Sequence, residues 1–204
     1  MSFEELKTLI AADQYRFEGK RGLKNFASLL LRESGFRFTV VMRTCAFLRS
    51  QKFSRYGLYH LFLFWHRRQQ VKYSTYIDFS TKIGGGLYVG HPCAVIVNVH
   101  SVIGRDCTLS QSVTLGNTNR RSKYPGCPTI GDRVYLGPGA VIVGGVTIGD
   151  DCVVGPNSVV AKSFPSGSVI SGLPAQLLSS RGSEGYVTHL TSAPERNGPP
   201  AAES

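Results

Sequence analysis

The chain has 204 residues, is 42% hydrophobic and carries a formal net charge of +10, so it can bury a core, and disorder of the whole chain is excluded. The excess charge lies in the N-terminal third, because residues 1–75 contain 14 Lys/Arg against 5 Asp/Glu, whereas residues 76–204 contain 9 against 8. The 5 cysteines include no CxxC pair, which argues against a disulfide framework and against a zinc cluster.

Residues 1–75 are predicted to form a basic α-helical region. Mixed apolar and basic positions predict helices over residues 2–18, 22–34 and 36–70, with breaks at Gly19, Gly22 and Gly35. This surface suits an anionic membrane, an acidic ligand or simple solvation. The apolar run at 57–65 is too short to cross a bilayer, and no secretory signal pattern begins the chain. A cytoplasmic location, with peripheral contact at the inner membrane face, is therefore expected.

Residues 76–178 show an aliphatic residue at every sixth position, with a two-residue slip at 95–97 and a gap after position 115. These positions are Ile77, Ile83, Val89, Val95, Val97, Ile103, Leu109, Leu115, Ile130, Leu136, Ile142, Ile148, Val154 and Val160. A period of six is neither helical nor simple strand alternation. It predicts a β-solenoid in which each unit supplies a short strand and a corner.

Two further rows of residues follow the same period. Glycines that come directly after the aliphatic positions are predicted to supply unusual backbone angles at the corners. Small residues four positions on, including Cys93, Cys107 and Cys152, are predicted to pack inward. The polar, basic stretch at 116–129 is predicted to be a functional loop extruded from the solenoid. The Ser-, Gly-, Pro- and Glu-rich residues 179–204 are predicted to be a disordered tail.

The stretch "IGDRVYLGPGAVIVGGVTIGDDCVVGPNSVVAKSFPSGSVISGLPAQLL" resembles the hexapeptide-repeat acyltransferases. Within these, "LSQSVTLGNT" and "GPNSVVAKSFPSGSVISGLPA" are similar to the serine acetyltransferase group. "TKIGGGLYVGHPCAVIVN" and "CPTIGDRVYLGPGA" resemble the branch that O-acetylates bacterial polysaccharides such as colanic acid. The resemblance implies a left-handed parallel β-helix of triangular section that forms a homotrimer, with acetyl-CoA in the groove between neighbouring subunits.

The resemblance also implies the catalytic residues. His91 would be the general base that takes a proton from an acceptor hydroxyl, and Asp78 would hold the imidazole, although serine acetyltransferases usually place this aspartate two residues earlier. Transfer would be direct, with no acyl-enzyme on Cys127. His100 would be peripheral, and the coils contain too few histidines for a zinc site, so no metal is expected. The pantetheine of acetyl-CoA would lie near Gly116, Gly137, Ala140, Gly155, Ser158 and Lys162.

Two departures from the serine enzymes bear on the acceptor. Those enzymes carry an aspartate before the catalytic histidine and a histidine in the loop, and Gly90 and Cys127 stand in these places here. Because a sugar hydroxyl needs no charged clamp, the sequence favours O-acetylation of a capsular, exopolysaccharide or lipopolysaccharide sugar. The predicted acceptor-binding residues, suited to an acidic or lipid-linked glycan, are Gly90, Asn98, Arg120, Arg121 and Lys123.

Two alternatives stay open. One is a serine O-acetyltransferase of cysteine biosynthesis. The other, of a different class, is a non-catalytic trimer that binds anionic partners through residues 1–75. The chain contains no recognisable nucleic-acid-binding motif, so nucleic acid is not an expected partner.

Overall fold

A computed structural model describes residues 1–51, 57–119 and 121–191 of the chain. It contains an N-terminal helical region made of α1 (Phe3–Glu18), α2 (Leu23–Arg32), α3 (Ser34–Ser50) and α4 (Leu58–Tyr73). Helix α1 begins with a capping box, in which the Glu5 N–H donates to Ser2 Oγ at 3.1 Å and the Ser2 N–H donates to the Glu5 carboxylate. None of the described helices is long and apolar enough to span a bilayer.

The helix prediction over residues 36–70 was wrong in two respects. This stretch forms two helices, and residues 52–56 between them lie outside the described part. Gly35, predicted as a helix break, lies inside α3. A Cβ at Gly35 would collide with the carbonyl oxygen of Val89, so the glycine allows α3 to pack against the solenoid.

The solenoid consists of fourteen short strands that form three sheets. The strands are β1 (Tyr76–Ile77), β2 (Lys82–Ile83), β3 (Ile96–Val97), β4 (Val102–Ile103), β5 (Thr108–Leu109), β6 (Thr114–Gly116), β7 (Thr129–Ile130), β8 (Tyr135–Leu136), β9 (Val141–Val143), β10 (Thr147–Ile148), β11 (Val153–Val154), β12 (Val159–Val160), β13 (Val169–Gly172) and β14 (Ala175–Ser179).

From β4 to β12, successive strands along the chain belong to sheets B, C and A in turn. Sheet A has the order β1-β3-β6-β9-β12, sheet B has β10-β7-β4-β2, and sheet C has β14-β13-β11-β8-β5. All strand pairs are parallel except β13 with β14. The predicted left-handed β-helix with an N-terminal helical region is confirmed.

Three edges join the sheets of the triangular section. The C–A edge contains residues 90–94, 110–112, 137–140 and 155–158. The A–B edge contains residues 78–81, 98–101, 117–119, 121–128, 144–146 and 161–163. The B–C edge contains residues 84–87, 104–107, 131–134, 149–152 and 165–168.

The predicted aliphatic ladder fills the interior. Its side chains are almost fully buried on all three sheets, with Ile83 partly buried at the first coil. Parallel registers such as Ile77 with Val97 and Ile130 with Ile148 place equivalent positions directly above one another. Burying each such side chain contributes roughly 1.5–3 kcal/mol, so the ladder accounts for the stacking of the coils.

The two-residue irregularity was predicted at 95–97, and the structure places it elsewhere. Val97 is in register with Ile77 and Leu115, and Val95 is buried like Val113. Ala94 and Ser112 share a positive φ, 55° and 60°. The two extra residues therefore lie at 90–93, as a bulge of the C–A edge that carries His91. Extra residues can leave the coil only at an edge, because a shift inside would break the ladder.

The prediction that Cys93 packs inward, as Cys107 and Cys152 do, was wrong. Cys93 lies on this bulge and is exposed, whereas Cys107 and Cys152 are buried as predicted. The position that Cys93 was expected to occupy is taken by Val95, which is 0% exposed.

The glycines after the aliphatic positions serve close packing, not unusual backbone angles. A Cβ at Gly131 would lie 2.7 Å from the backbone nitrogen of Asp150 in the next coil. The positive φ angles on this edge fall two residues later, at Arg133 (56°) and Asp151 (56°). The guanidinium of Arg133 binds the Asp151 carboxylate at 2.7 and 2.8 Å and joins these coils.

The prediction of a disordered tail over residues 179–204 was wrong for residues 179–191. Ser179 is the last residue of β14. Residues 180–191 pack back onto sheet C: Ser183 Oγ donates to the Arg133 carbonyl, and Thr191 Oγ1 donates to Asp106. Val187 is 7% exposed, and the rings of Tyr135 and Tyr186 are in contact. Residues 192–204 lie outside the described part of the chain.

A buried ion pair joins the helical region to the first coil. The Asp13 carboxylate on α1 accepts from Arg43 on α3 and from the N–H groups of Gly86 and Leu87 at 2.9 Å. Arg43 also donates to the Gly84 carbonyl at 2.6 Å. Both side chains of the pair are buried, with 0% exposure for Asp13 and 5% for Arg43. Because each of them also bonds to the backbone of residues 84–87, the pair fixes α1 and α3 to the B–C edge.

We expect Asp13→Ala to lower the free energy of unfolding by about 3–5 kcal/mol, because it leaves the Arg43 charge buried without its partner. The matched control is Glu4→Ala, which removes an exposed pair with Lys7 and should cost less than about 1 kcal/mol. Urea unfolding at a fixed protein concentration measures both changes. Equal effects of the two substitutions would contradict a structural role for the buried pair.

Thiol alkylation tests the position of Cys93. Iodoacetamide should modify Cys93 in the folded protein well before Cys45 and Cys107, because burial raises the pKa of each of these two thiols to about 12. Mass spectrometry of proteolytic peptides after short exposures gives the order of modification. If Cys93 reacts only as the protein unfolds, together with Cys107, it does not lie on an exposed bulge.

Candidate functional site

His91 projects from the bulge on the C–A edge. Its side chain is exposed, and no hydrogen bond to its ring is formed within the described residues. Gly90, directly before it, packs against the ring of Tyr88, since a Cβ there would lie 2.9 Å from Tyr88 Cε1. An exposed imidazole held on a rigid turn is available to accept a proton from a bound hydroxyl.

A cleft of about 330 Å³ opens beside His91. Sheet C forms its floor through Tyr88, Thr108 and Tyr135, and it lies between α1 on one side and the C-terminal segment on the other. Its lining residues are Arg16, Tyr88, Gly90, His91, Thr108, Leu109, Ser110, Gln111, Tyr135, Pro138, Tyr186 and Thr188. Hydroxyl and amide groups are frequent in this set, and no carboxylate is among them. The cleft therefore suits a small polar or anionic molecule.

Arg16 brings a positive charge to this cleft, and sequence reasoning missed it. Only 2% of the residue is exposed, and it reaches sheet C from the last turn of α1. Nε donates to the Gly86 carbonyl at 3.1 Å, and Nη2 donates to Thr108 Oγ1 at 2.8 Å. Burial lowers the pKa of the guanidinium, which nevertheless stays protonated at neutral pH. The sequence carries no signal for this placement beyond an arginine between Tyr15 and Phe17.

The carboxylate of Asp78 does not contact the imidazole of His91 of the same protomer. The prediction that Asp78 holds this imidazole was therefore wrong for a single protomer. Asp78 follows β1 on the A–B edge, where its carboxylate accepts from the N–H and hydroxyl of Ser80. His91 stands on the C–A edge, at the other end of the sheet A strands. Two residues before Asp78, where the resemblance places the aspartate, the chain has Tyr76, which is 51% exposed on the outer face of β1.

The predicted acceptor-binding residues fall into two groups. Gly90 lines the cleft, whereas the others that the structure describes lie on the A–B edge. Asn98 Oδ1 accepts from the N–H of His100 at 3.0 Å and from the Cys127 thiol at 3.3 Å. Within one protomer these residues are not brought together with His91.

The loop that carries the other predicted acceptor-binding residues is anchored. A bridge between Thr118 and Gly126 and a hydrogen bond from Thr118 Oγ1 to the Tyr124 carbonyl hold its base. Arg121 and Lys123 are exposed on it. Arg120 lies outside the described residues.

Four of the predicted acetyl-CoA residues lie on the same edge as His91. They are Gly137, Ala140, Gly155 and Ser158, and backbone hydrogen bonds such as Gly139 N–H to the Gln111 carbonyl link the successive turns. The side chains of Ala140 and Ser158 are fully buried, so a ligand would meet only their backbone. The edge is narrow and made of small residues, which fits an extended pantetheine.

The other two predicted acetyl-CoA residues lie toward the A–B edge: Gly116 is the last residue of β6, and Lys162 follows β12. Lys162 donates to Gln176 at 3.2 Å. Their role in binding the cosubstrate stays a prediction.

The remaining candidate groups are metal ligands and the Cys127 thiol. In the part of the chain that the structure describes, no group of three or more His, Cys, Asp or Glu side chains is arranged to hold a metal ion. Burial raises the pKa of the Cys127 thiol, which also donates to Asn98. Both effects keep this cysteine in the poorly nucleophilic thiol form.

Comparison with known proteins gives the same fold and points to one group of enzymes. Residues 127–162 match the family described as bacterial transferase hexapeptide (six repeats). A serine acetyltransferase from Synechococcus elongatus is 28% identical over 174 residues, which cover 84% of this chain and 68% of that protein. One from Helicobacter pylori is 36% identical over 97 residues, or 48% of this chain and 56% of that protein. The aligned part is thus little more than half of the Helicobacter protein.

Solved structures of serine acetyltransferases superpose on the chain. The soybean apoenzyme gives a TM-score of 0.70 at 29% identity, covering 86% of this chain and 69% of that one. A serine acetyltransferase from Brucella abortus in complex with coenzyme A gives 0.65 at 25% identity, covering 85% and 66%.

These findings correct the acceptor predicted from the sequence. A bacterial surface polysaccharide was favoured because Gly90 and Cys127 replace charged residues, but the curated relatives and solved structures reported above are serine acetyltransferases. The prediction of a polysaccharide acetyltransferase was therefore wrong. The chain has the hexapeptide-repeat acyltransferase fold and is similar to the serine acetyltransferases.

Proposed function

We propose that this enzyme transfers the acetyl group of acetyl-CoA to the hydroxyl of L-serine, with His91 as the general base. The observation that carries the proposal is the likeness to a serine acetyltransferase over 84% of the chain. The cleft has the size and polarity for an amino acid, and His91 stands at its rim.

The reaction follows from the groups at the rim. As the hydroxyl oxygen of serine attacks the thioester carbonyl, the His91 imidazole accepts the hydroxyl proton. The tetrahedral intermediate collapses with cleavage of the carbon–sulfur bond, and the imidazolium returns the proton to the departing CoA sulfur. The products are O-acetylserine and free CoA. Backbone N–H groups on the narrow C–A edge would stabilise the oxyanion.

Acetyl-CoA, the cosubstrate, would lie along the C–A edge below His91. Gly155 is partly exposed on this edge, whereas Gly137 is buried against the backbone of the next coil. A ligand would therefore meet the edge at Gly155 and at its exposed neighbours Pro156 and Asn157. The thioester would then reach the rim of the cleft, and the charged end of CoA would lie along the later coils.

We further propose a homotrimer in which sheet A packs against neighbouring copies. The outer face of sheet C is covered by α1 and the C-terminal segment, and that of sheet B presents Lys82, Thr129 and Thr147. Sheet A instead presents apolar side chains along its length, from Tyr76 and Ile96, which are 51% and 46% exposed, to Val141 and Val159. Contact between copies would bury this row.

Peripheral membrane contact and a cytoplasmic location stay predictions. Their candidate surface is the outer face of α4, where the exposed Leu61, Phe64 and Trp65 lie beside Arg67 and Arg68. Aromatic side chains next to arginines are typical of helices that lie on an anionic membrane surface.

His91→Ala should reduce serine-dependent release of CoA thiol by roughly 10²-fold or more, because the hydroxyl loses its base. The measurement is the initial rate of thiol release with acetyl-CoA and L-serine, with His100→Ala as a control that keeps the wild-type rate. Cys93→Ser should also keep this rate if the acetyl group moves directly. A wild-type enzyme that does not acetylate L-serine would overturn the proposed function, and unchanged turnover in His91→Ala would overturn the role of the histidine.

Ile96→Lys should weaken the trimer, since it places a charge in the apolar row of sheet A. Sedimentation velocity at several protein concentrations should show lighter species for this variant. Thr129→Lys, at an exposed outer position of sheet B, is the matched control and should sediment as the wild type does. Identical behaviour of both variants would exclude sheet A as the contact.

A further inference from the structure

Arg16 has one edge of its guanidinium without a partner. Nε and Nη2 are bonded to Gly86 and Thr108, but Nη1 is buried and has no hydrogen-bond partner. A charged donor that is buried and unpaired destabilises the folded protein. Because Arg16 lines the cleft, its Nη1 is available to donate a hydrogen bond to a ligand that binds there.

No carboxylate of the described residues forms an ion pair with Arg16. The two nearby acids that influence it electrostatically, Asp13 and Asp106, accept from Arg43 and Thr191 respectively. Arg16 is also the single formal charge among the residues that line the cleft, apart from any charge on His91. The positive charge of Arg16 thus faces a cleft whose lining residues include no carboxylate.

Resting on the proposed function, we propose that Arg16 binds the carboxylate of the amino-acid acceptor and thereby selects it. A carboxylate accepts well from a guanidinium, and Nη1 offers the donor while Thr108 holds the other side of the group in place. The acceptor hydroxyl would then be directed from Arg16 toward His91, which lines the same cleft.

This assignment accounts for one of the two departures seen in the sequence. Cys127 cannot supply a positive charge to the carboxylate of an amino acid, and the described loop residues lie on a different edge from His91. Helix α1 supplies that charge instead, from a residue 75 positions before His91. The ion pair of Asp13, three residues earlier on α1, fixes the helix against the coil and so holds Arg16 in position.

The test compares L-serine with L-serinamide, which has the hydroxyl and the ammonium group but lacks the carboxylate. The wild type should prefer L-serine in kcat/KM by roughly 10²-fold, the value of a charged hydrogen bond in a dry site. Arg16→Gln should bring this ratio close to one, mainly by raising KM for L-serine. Arg32→Gln is the matched control, because it removes an exposed arginine that pairs with Glu18 and does not line the cleft, and it should keep the preference for L-serine.

A binding experiment tests Arg16 whether or not turnover occurs. The melting temperature of the wild type, without acetyl-CoA, should rise with L-serine and not with L-serinamide, and that of Arg16→Gln should respond to neither. Circular dichroism of the variant verifies that it is folded, with Arg16→Lys as a second variant that should retain part of the response. If the wild type fails to acetylate serine but still shows this carboxylate-dependent shift, the proposed function is wrong and the anion site stands.

Three results would overturn the proposal. The first is a wild type whose melting temperature does not respond to L-serine. The second is a folded Arg16→Gln variant that keeps the preference for L-serine over L-serinamide. The third is a rise in KM for acetyl-CoA with an unchanged serine-to-serinamide ratio, which would assign the charge to a phosphate of CoA.

Discussion

The stacking of aliphatic residues inside the triangular coil is the constraint on which the rest of the molecule depends. Each coil must place three such side chains, one on each sheet, directly over those of its neighbour. On sheet A the successive coils stack Ile77, Val97 and Leu115 in this way. The interior therefore tolerates no change of register, and every additional residue is expelled at an edge. The bulge with His91 and the loop that contains residues 117–119 and 121–128 are consequences of this rule.

The same rule explains how a candidate catalytic group comes to be exposed on a rigid support. Residues 90–93 lie outside the aliphatic ladder, and they are held by the buried Pro92 within the bulge and by the buried Val89 and Val95 on either side. The bulge is short enough to stay ordered, and it lies at the rim of a cleft whose floor is sheet C. Loops on a rigid scaffold are a common place for binding and catalysis because the scaffold determines where they stand.

The helical region completes the site instead of forming a separate unit. Gly35 allows α3 to approach Val89, and the buried pair of Asp13 and Arg43 ties α1 and α3 to the B–C edge. Because α1 is fixed in this way, Arg16 reaches sheet C next to the cleft. A basic N-terminal third therefore contains residues with different roles: Arg43 is structural, Arg16 faces the proposed substrate, and Arg67 and Arg68 lie on the outer face of α4.

The sequence by itself determined the β-helix, because a side chain that is buried at every sixth residue produces a visible period of aliphatic residues. A local motif also indicated His91 as the candidate general base. The sequence also determined the basic helical region, although not the break that separates α3 from α4. Only the tertiary structure decided which edge each residue occupies. It separated Asp78 from His91, moved Cys93 to the surface and brought Arg16 into the cleft. Such contacts join residues that are far apart along the chain, and they depend on how the coils and helices are packed, for which no local pattern exists.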